Sequence, residues 1–308
     1  NHAKTTLAKK FKLCGNLKMT SIDSPSLVEI RPDRIIHVSV NDRTSDSSCP
    51  TVIMIHGSCA HSGQWDSQVN WLLQQETALR IIRYDYFGCG QSMKPKENAS
   101  EIYSASEHYA DLLALYDRYC SESANVWVMG HSFGCAMAFR LAAEKKDNVR
   151  KLVLVAPPGL DFGKSLPSLF RLPVWILGWM QPVLTKAFIT SAFHPNTIEN
   201  LPELIKSEND ISSANPPYMF KAFYQSQVEY YNTEANEEAW SKWFQTVIIN
   251  VLVICGKNDN IVPFEKSQQL IEKLASSELK VVSNASHQVA QEQADTVNEF
   301  LATYLFGK

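Results

Sequence analysis

The strongest constraint on this 308-residue chain is a rhythm. Short, continuous apolar runs end in glycine, aspartate or proline, and they alternate with stretches patterned as helices. "TVIMIHG" (residues 51–57), "LRIIRYD" (79–85), "NVWVMG" (125–130), "KLVLVAP" (151–157), "NVLVICG" (250–256) and "ELKVVS" (278–283) are too short for helices. They are also too uniformly apolar for strands with one wet face. Such runs suit strands buried on both faces, which occur in parallel sheets covered by helices. "EIRPDRIIHVSV" (29–40) predicts one or two opening strands, antiparallel to the rest.

Helical patterns fill the intervals. Ser104 and Glu107 have capping-box spacing ahead of Tyr109, Leu112, Leu113 and Tyr116, an apolar stripe at i, i+3, i+4, i+7. Further helices are expected over 133–146, 264–274 and about 291–305. The fold class is α/β, with a mostly parallel central sheet and helices on both faces. Residues 160–246 break the rhythm. They hold no buried strand pattern and are rich in aromatics and prolines, which predicts a helical cap inserted into the core. The expected organisation is a tail (1–27), a first core part (28–159), the cap (160–246) and a second core part (247–308).

Composition limits the classes of function. Hydrophobic residues make up 45% and charged residues 20%, as in ordinary globular proteins. A net charge of −3 gives no footing for nucleic acid. No run reaches the ~18 apolar residues of a membrane span. Residues 1–20 carry five lysines and no acid, a solvated tail able to make at most weak contact with a membrane surface. The chain opens on Asn1, which points to a processed or shortened N-terminus. Seven cysteines, an odd number without a C-x-x-C pair, read as free thiols in a reducing, cytoplasmic setting. Nothing marks an obligate protein partner.

The chemistry concentrates around "VMGHSFGCA" (128–136). Ser132 follows a buried strand, precedes a helix and lies between Gly130 and Gly134, the context a nucleophile elbow requires. A serine hydroxyl needs a base, and the base needs an orienting carboxylate. In such sheets these follow the serine in the order Asp/Glu, then His. Asp259 comes three residues after the strand ending at Gly256, and His287 lies in the loop after the last strand. Both loops fall at the carboxyl edge of the sheet, beside Ser132. Asp161 and Asp210 also lie between serine and histidine in the chain, but neither follows a strand. The oxyanion donors expected are the backbone N–H groups of Phe133 and Ser58, with Gly57 allowing close approach and His56 supporting the loop. His131, Trp175, Trp179 and Phe223 are the expected walls of the substrate pocket. No Cys/His cluster has zinc spacing and no glycine loop suits phosphate, so neither metal nor organic cofactor is expected.

Four stretches, "HGSCAHSG", "YDYFGCGQS", "GHSFG" and "GKNDNIVP" with the later "SHQVAQEQADTVNEFL", resemble the α/β-hydrolase superfamily across residues 28–305. The first two look most like monoacylglycerol lipases and abhydrolase-domain proteins. The resemblance implies a serine hydrolase acting on esters, with Ser132, Asp259 and His287 as triad, Ser58 and Phe133 as oxyanion hole, and the insertion as lid. The chain departs from the pattern at Tyr86–Gly90, which lacks the usual basic residue, and at Cys135, where a small residue is common. The epoxide hydrolases and haloalkane dehalogenases of the superfamily carry Asp where this chain has Ser132. An apolar acyl chain suits the aromatic-rich insertion, since each buried CH₂ contributes roughly 0.8 kcal/mol. Thioester, amide and carbon–carbon cleavage use the same residues, as does acyl transfer to an alcohol. A non-catalytic ligand-binding homologue is the alternative from another class.

Overall fold

The structure is a computed structural model that describes residues 26–43, 49–95, 100–158, 172–219, 221–222 and 234–308. One eight-stranded sheet runs through it in the order β1-β2-β4-β3-β5-β6-β7-β8. β1 (Ser26–Arg31) and β2 (Arg34–Asp42) form a hairpin turned at Asp33, and β2 pairs antiparallel with β4 (Arg80–Tyr84). The opening segment is thus two strands. β3 (Thr51–Ile55), β5 (Val126–His131), β6 (Val149–Val155), β7 (Val251–Gly256) and β8 (Ser277–Val282) join β4 in parallel register.

The inner apolar runs are where the sheet is covered twice; the run 278–283, expected to be of the same kind, forms the edge strand β8, which has one neighbouring strand and is mostly half-buried. Every residue of β3, β5 and β7 is buried. Alternate side chains feed two cores. Ile53, Val128, Leu152 and Val253 pack with α2 (Ala105–Tyr119) and α3 (Phe133–Glu144) on one face. Val52, Met54, Met129 and Leu252 pack with α1 (Asp66–Leu73) and the C-terminal helices on the other.

Ser104 caps α2 by accepting from the Glu107 N–H at 3.2 Å. The second half of the box does not form. The Glu107 carboxylate bonds Arg31 instead, and Asp111, one turn on, takes Arg34. Tertiary ion pairing therefore outbids the local cap and docks α2 on the hairpin.

Between β6 and β7 the chain forms α4 (Val174–Ala192), α5 (Pro195–Asn200), α6 (Pro202–Ser213) and α7 (Glu234–Thr246). Ile189, Ala192 and Phe193 form a small separate core with Ile198, Leu204 and Ile205. α7 lies on α3, where Trp240 stacks on Phe139 at 5.7 Å. After β7 come α8 (Phe264–Ile271), α9 (Val289–Glu292) and α10 (Ala294–Leu301). The single helix expected over about 291–305 is broken. Gln293 leaves helical geometry at φ −130°, and a wider π-turn follows over Ala302–Phe306.

The expected tail lies almost entirely outside the described residues, as do Asp161 and Phe223. Among the described residues no helix is long and apolar enough to cross a membrane. The six cysteines among them are all free thiols.

Candidate active site

Ser132 stands at the carboxyl end of β5 with φ 51° and ψ −124°, a backbone conformation unfavourable for a side chain. Two glycines make the turn possible. A Cβ on Gly130 would run into the Gly134 carbonyl, and one on Gly134 into the carbonyls of Ile55 and His56. The Ser132 N–H is tied to Val155 O at 2.9 Å, which fixes the turn to the neighbouring strand. The buried Cys135 thiol fills the first turn of α3 and bonds Gly130 O at 3.1 Å.

The other two residues come from adjacent strand ends. His287 Nε2 lies 3.0 Å from Ser132 Oγ, and its Nδ1 lies 2.8 Å from Asp259 Oδ2. Asp259 Oδ1 accepts the N–H groups of Ile261 and Val262, both at 2.8 Å. A carboxylate so held can accept only from Nδ1–H, which leaves Nε2 as the lone pair facing the hydroxyl. Asp259 and His287 are both buried. Their loops are stitched together, with Lys257 N–H on Val282 O and Asn258 N–H on Ala285 O. Gly256 is required because a Cβ there would strike the Ala285 and Ser286 carbonyls. Asp210, by contrast, is an exposed residue of α6 paired with Lys206 at 3.5 Å.

The loop after β3 approaches from the opposite side. Gly57 packs so closely that a Cβ on it would lie 2.7 Å from His131 Nδ1 and 3.2 Å from Ser132 Cβ. Ser58 follows in the turn, and Phe133 is the first residue of α3. His56 braces this loop. Its Nδ1–H donates to Gly57 O at 2.7 Å and its Nε2 accepts the Tyr86 N–H at 3.0 Å. Burial pushes its pKa down to about 4, so the ring is neutral. Asp85 joins the β3 and β4 loops by accepting from Ser62 N at 2.6 Å and Gln91 N at 2.7 Å. Burial alone would raise its pKa. His37 and those N–H groups outweigh burial and hold it below the usual carboxylate range.

Two expectations for the pocket need correction. His131 is a buried brace with both ring nitrogens engaged by Gln64 and His287 O, so it is no pocket wall. Trp175 and Trp179 are 76% and 82% exposed. The inward side of α4 is set by Leu177, Ile189 and Ala192, which turns 175, 179 and 183 to the outside. In this structure neither tryptophan lines an interior cavity.

Sequence reasoning missed the polar residues that join the inserted helices to the site loops. Gln288 N–H bonds Ala192 O at 3.1 Å. Glu292 accepts from His194 N–H at 2.6 Å and Thr197 Oγ1 at 2.9 Å, and its other oxygen takes Ser286 N–H at 2.7 Å. Glu208 of α6 accepts from Gln291 Nε2 at 2.8 Å and pairs with His61 Nε2 at 3.3 Å. Asn215 reaches Cys59 O at 2.8 Å. Gln64 and Gln288 complete the set. Each is an ordinary polar residue without a motif; only its place in the fold distinguishes it.

Comparison with known proteins identifies the family and the fold. The sequence pattern of the alpha/beta hydrolase fold family matches residues 50–292. Protein ABHD8 of Mus musculus is 27% identical over 284 residues, covering 89% of this chain and 60% of that protein. The chain thus spans about three-fifths of these curated relatives. A probable lysophospholipase, BODYGUARD 5 of Arabidopsis thaliana, is 23% identical over 93% of the chain and 68% of its own length. Among solved structures, an esterase from Exiguobacterium antarcticum superposes with a TM-score of 0.74 at 21% identity, covering 91% of this chain and 99% of its own. An enol-lactonase from Burkholderia xenovorans does so with 0.75 at 18% identity, covering 91% and 99%. At these identities the solved structures speak for the fold. With the family pattern covering most of its length and the sheet order and elbow described above, this chain belongs to the α/β-hydrolase fold family.

Proposed function

We propose that the protein is a serine hydrolase that cleaves a carboxylic ester with an apolar acyl group. The observation carrying this reading is the unbroken hydrogen-bonded line from Asp259 through His287 to Ser132 at a strained elbow. Ser132 Oγ attacks the ester carbonyl while His287 Nε2 takes its proton. Asp259 holds the tautomer and stabilises the imidazolium. The N–H groups of Ser58 and Phe133 receive the oxyanion. His287 protonates the departing alkoxide, which leaves an acyl-enzyme. His287 then deprotonates a water, which attacks the acyl carbon, and the carboxylic acid departs as Ser132 regains its proton.

Residues 160–246 act as the cap in this reading. The ester class is supported by the likeness to a probable lysophospholipase and to an esterase. The exposed face bearing Trp175, Trp179 and Val183 gives the cap an apolar surface for weak contact with aggregated lipid.

A fluorophosphonate probe followed by mass spectrometry of the labelled peptide tests the assignment. Label on Ser132, absent in Ser132→Ala, is the expected result. A wild-type protein that stays unlabelled and fails to hydrolyse a p-nitrophenyl ester series would refute a hydrolase and favour a ligand-binding homologue.

A further inference from the structure

Gln64 is almost fully buried, and its amide uses its donors and acceptor on three different parts of the site. Oε1 accepts the Gly57 N–H at 3.2 Å, in the loop after β3. Nε2 donates to His131 Nδ1 at 2.9 Å and also to the Gln288 side chain, next to His287 in sequence. Since His131 Nδ1 accepts, the ring carries its proton on Nε2. That proton goes to the backbone carbonyl of His287 at 2.9 Å. The result is a one-way chain of donors: Gly57 N–H to Gln64, Gln64 to His131, His131 to His287.

The direction is fixed by chemistry. Turning the Gln64 amide over would set its N–H against the Gly57 N–H. It would also force the proton of His131 onto Nδ1 and leave a lone pair facing the His287 carbonyl. Burial, reinforced by the neighbouring His287, holds the pKa of His131 well below its ordinary value, so the ring stays neutral and keeps its one acceptor. Packing follows the same path. The His131 ring lies against Gly57 on one side and edge-on to the His287 ring, 4.9 Å between centroids, on the other.

We propose that Gln64, acting through His131, is a positioning residue of the reaction: it sets the Gly57–Ser58 loop and His287 at a fixed distance across Ser132. Neither residue touches substrate. Both parts that must converge on the tetrahedral intermediate, the oxyanion donors and the base, are held by this one amide and one neutral imidazole. The inference rests on the serine-hydrolase reading.

The test compares Gln64→Met, His131→Phe, the double variant and His131→Gln with the wild type, using p-nitrophenyl butyrate well below each Tm. Each of the first two lowers kcat roughly tenfold to a hundredfold, the scale of a misplaced reacting group, with KM nearly unchanged. The double variant falls no further than the worse single, because both break the same chain. His131→Gln, whose amide can still donate to His287 O, recovers part of the loss. The low-field proton resonance of His287 Nδ1–H shifts in Gln64→Met, a readout that does not require turnover. Wild-type kcat and an unshifted resonance in Gln64→Met overturn the inference, as do multiplying losses in the double variant. If Gln64→Met does not fold, the contrast between His131→Phe and His131→Gln decides: equal losses overturn it. Absence of fluorophosphonate label on wild-type Ser132 instead defeats the hydrolase reading.

Discussion

The carboxyl edge of the sheet and the inserted helices above it are built on opposite principles. At the edge, Ser132 and Asp259 follow fully buried strands, His287 follows the half-buried edge strand β8, and glycines let backbones touch. Their geometry is a by-product of a core that must form anyway. The inserted helices have a small core of their own and turn two tryptophans to the outside. α4, α5 and α6 meet the site loops through polar bonds, from Glu208, Asn215 and the backbone of Ala192 and to Glu292 from His194 and Thr197, whereas α7 packs into the main core through Trp240 on Phe139. Packing fixes the strand ends that carry Ser132 and Asp259, whereas α4 to α6 are joined to the site loops by hydrogen bonds, each with a small net contribution of about 0.5–1.5 kcal/mol.

The largest effects should come from breaking the carboxyl edge. Asp259→Asn should reduce kcat by roughly four orders of magnitude, since an amide favours the wrong imidazole tautomer. Asp210→Asn, on the exposed face of α6, should leave kcat unchanged. Steady-state hydrolysis of p-nitrophenyl butyrate checks both; equal losses would mean the acid is misassigned.

Stability should divide along the same line. Trp65 is fully buried beneath the sheet, and Trp65→Ala should cost about 3–5 kcal/mol in urea unfolding. Trp179→Ser, at 82% exposure, should change stability by less than about 0.5 kcal/mol. A large loss at Trp179 would mean that the outer face of α4 is covered.

The His61–Glu208 contact should make the docking of α6 pH-dependent. Burial works against the charge on both. The Glu208 carboxylate nevertheless raises the pKa of His61 above 6.5, and His61 lowers that of Glu208 below 4.5. The His61 contribution is complete below pH 6.5 and is lost as pH rises through its raised value. The Glu208 contribution is complete above pH 4.5 and is lost as pH falls through its lowered value. Hydrogen-exchange protection of α6 should therefore be greatest between those limits, and His61→Gln should flatten the dependence.

The smallest effect concerns the outer face. Trp175→Ser with Trp179→Ser should weaken binding to zwitterionic lipid vesicles several-fold while leaving hydrolysis of a soluble ester intact. Unchanged vesicle binding would remove the lipid-facing role.

Much of this molecule is legible from its residues alone. The inner parallel strands are, because burial on two faces demands unbroken apolar runs. The elbow is, because a serine at positive φ between a strand and a helix demands glycines at fixed offsets. Asp259 and His287 are, because topology sends the ends of parallel strands to one edge. The break at Gln293 was not legible, since no proline or glycine marks it. Nor was the inward or outward facing of α4, where apolar residues lie all around the helix and only its neighbours choose a side. Gln64, His131, Glu208 and Glu292 depend on tertiary structure most. A glutamine or glutamate has no preferred partner in sequence. It acquires a role only when folding sets it beside distant groups, as Gln64 meets His131 and Gln288, 67 and 224 positions away, in a buried place where an unmade hydrogen bond is costly.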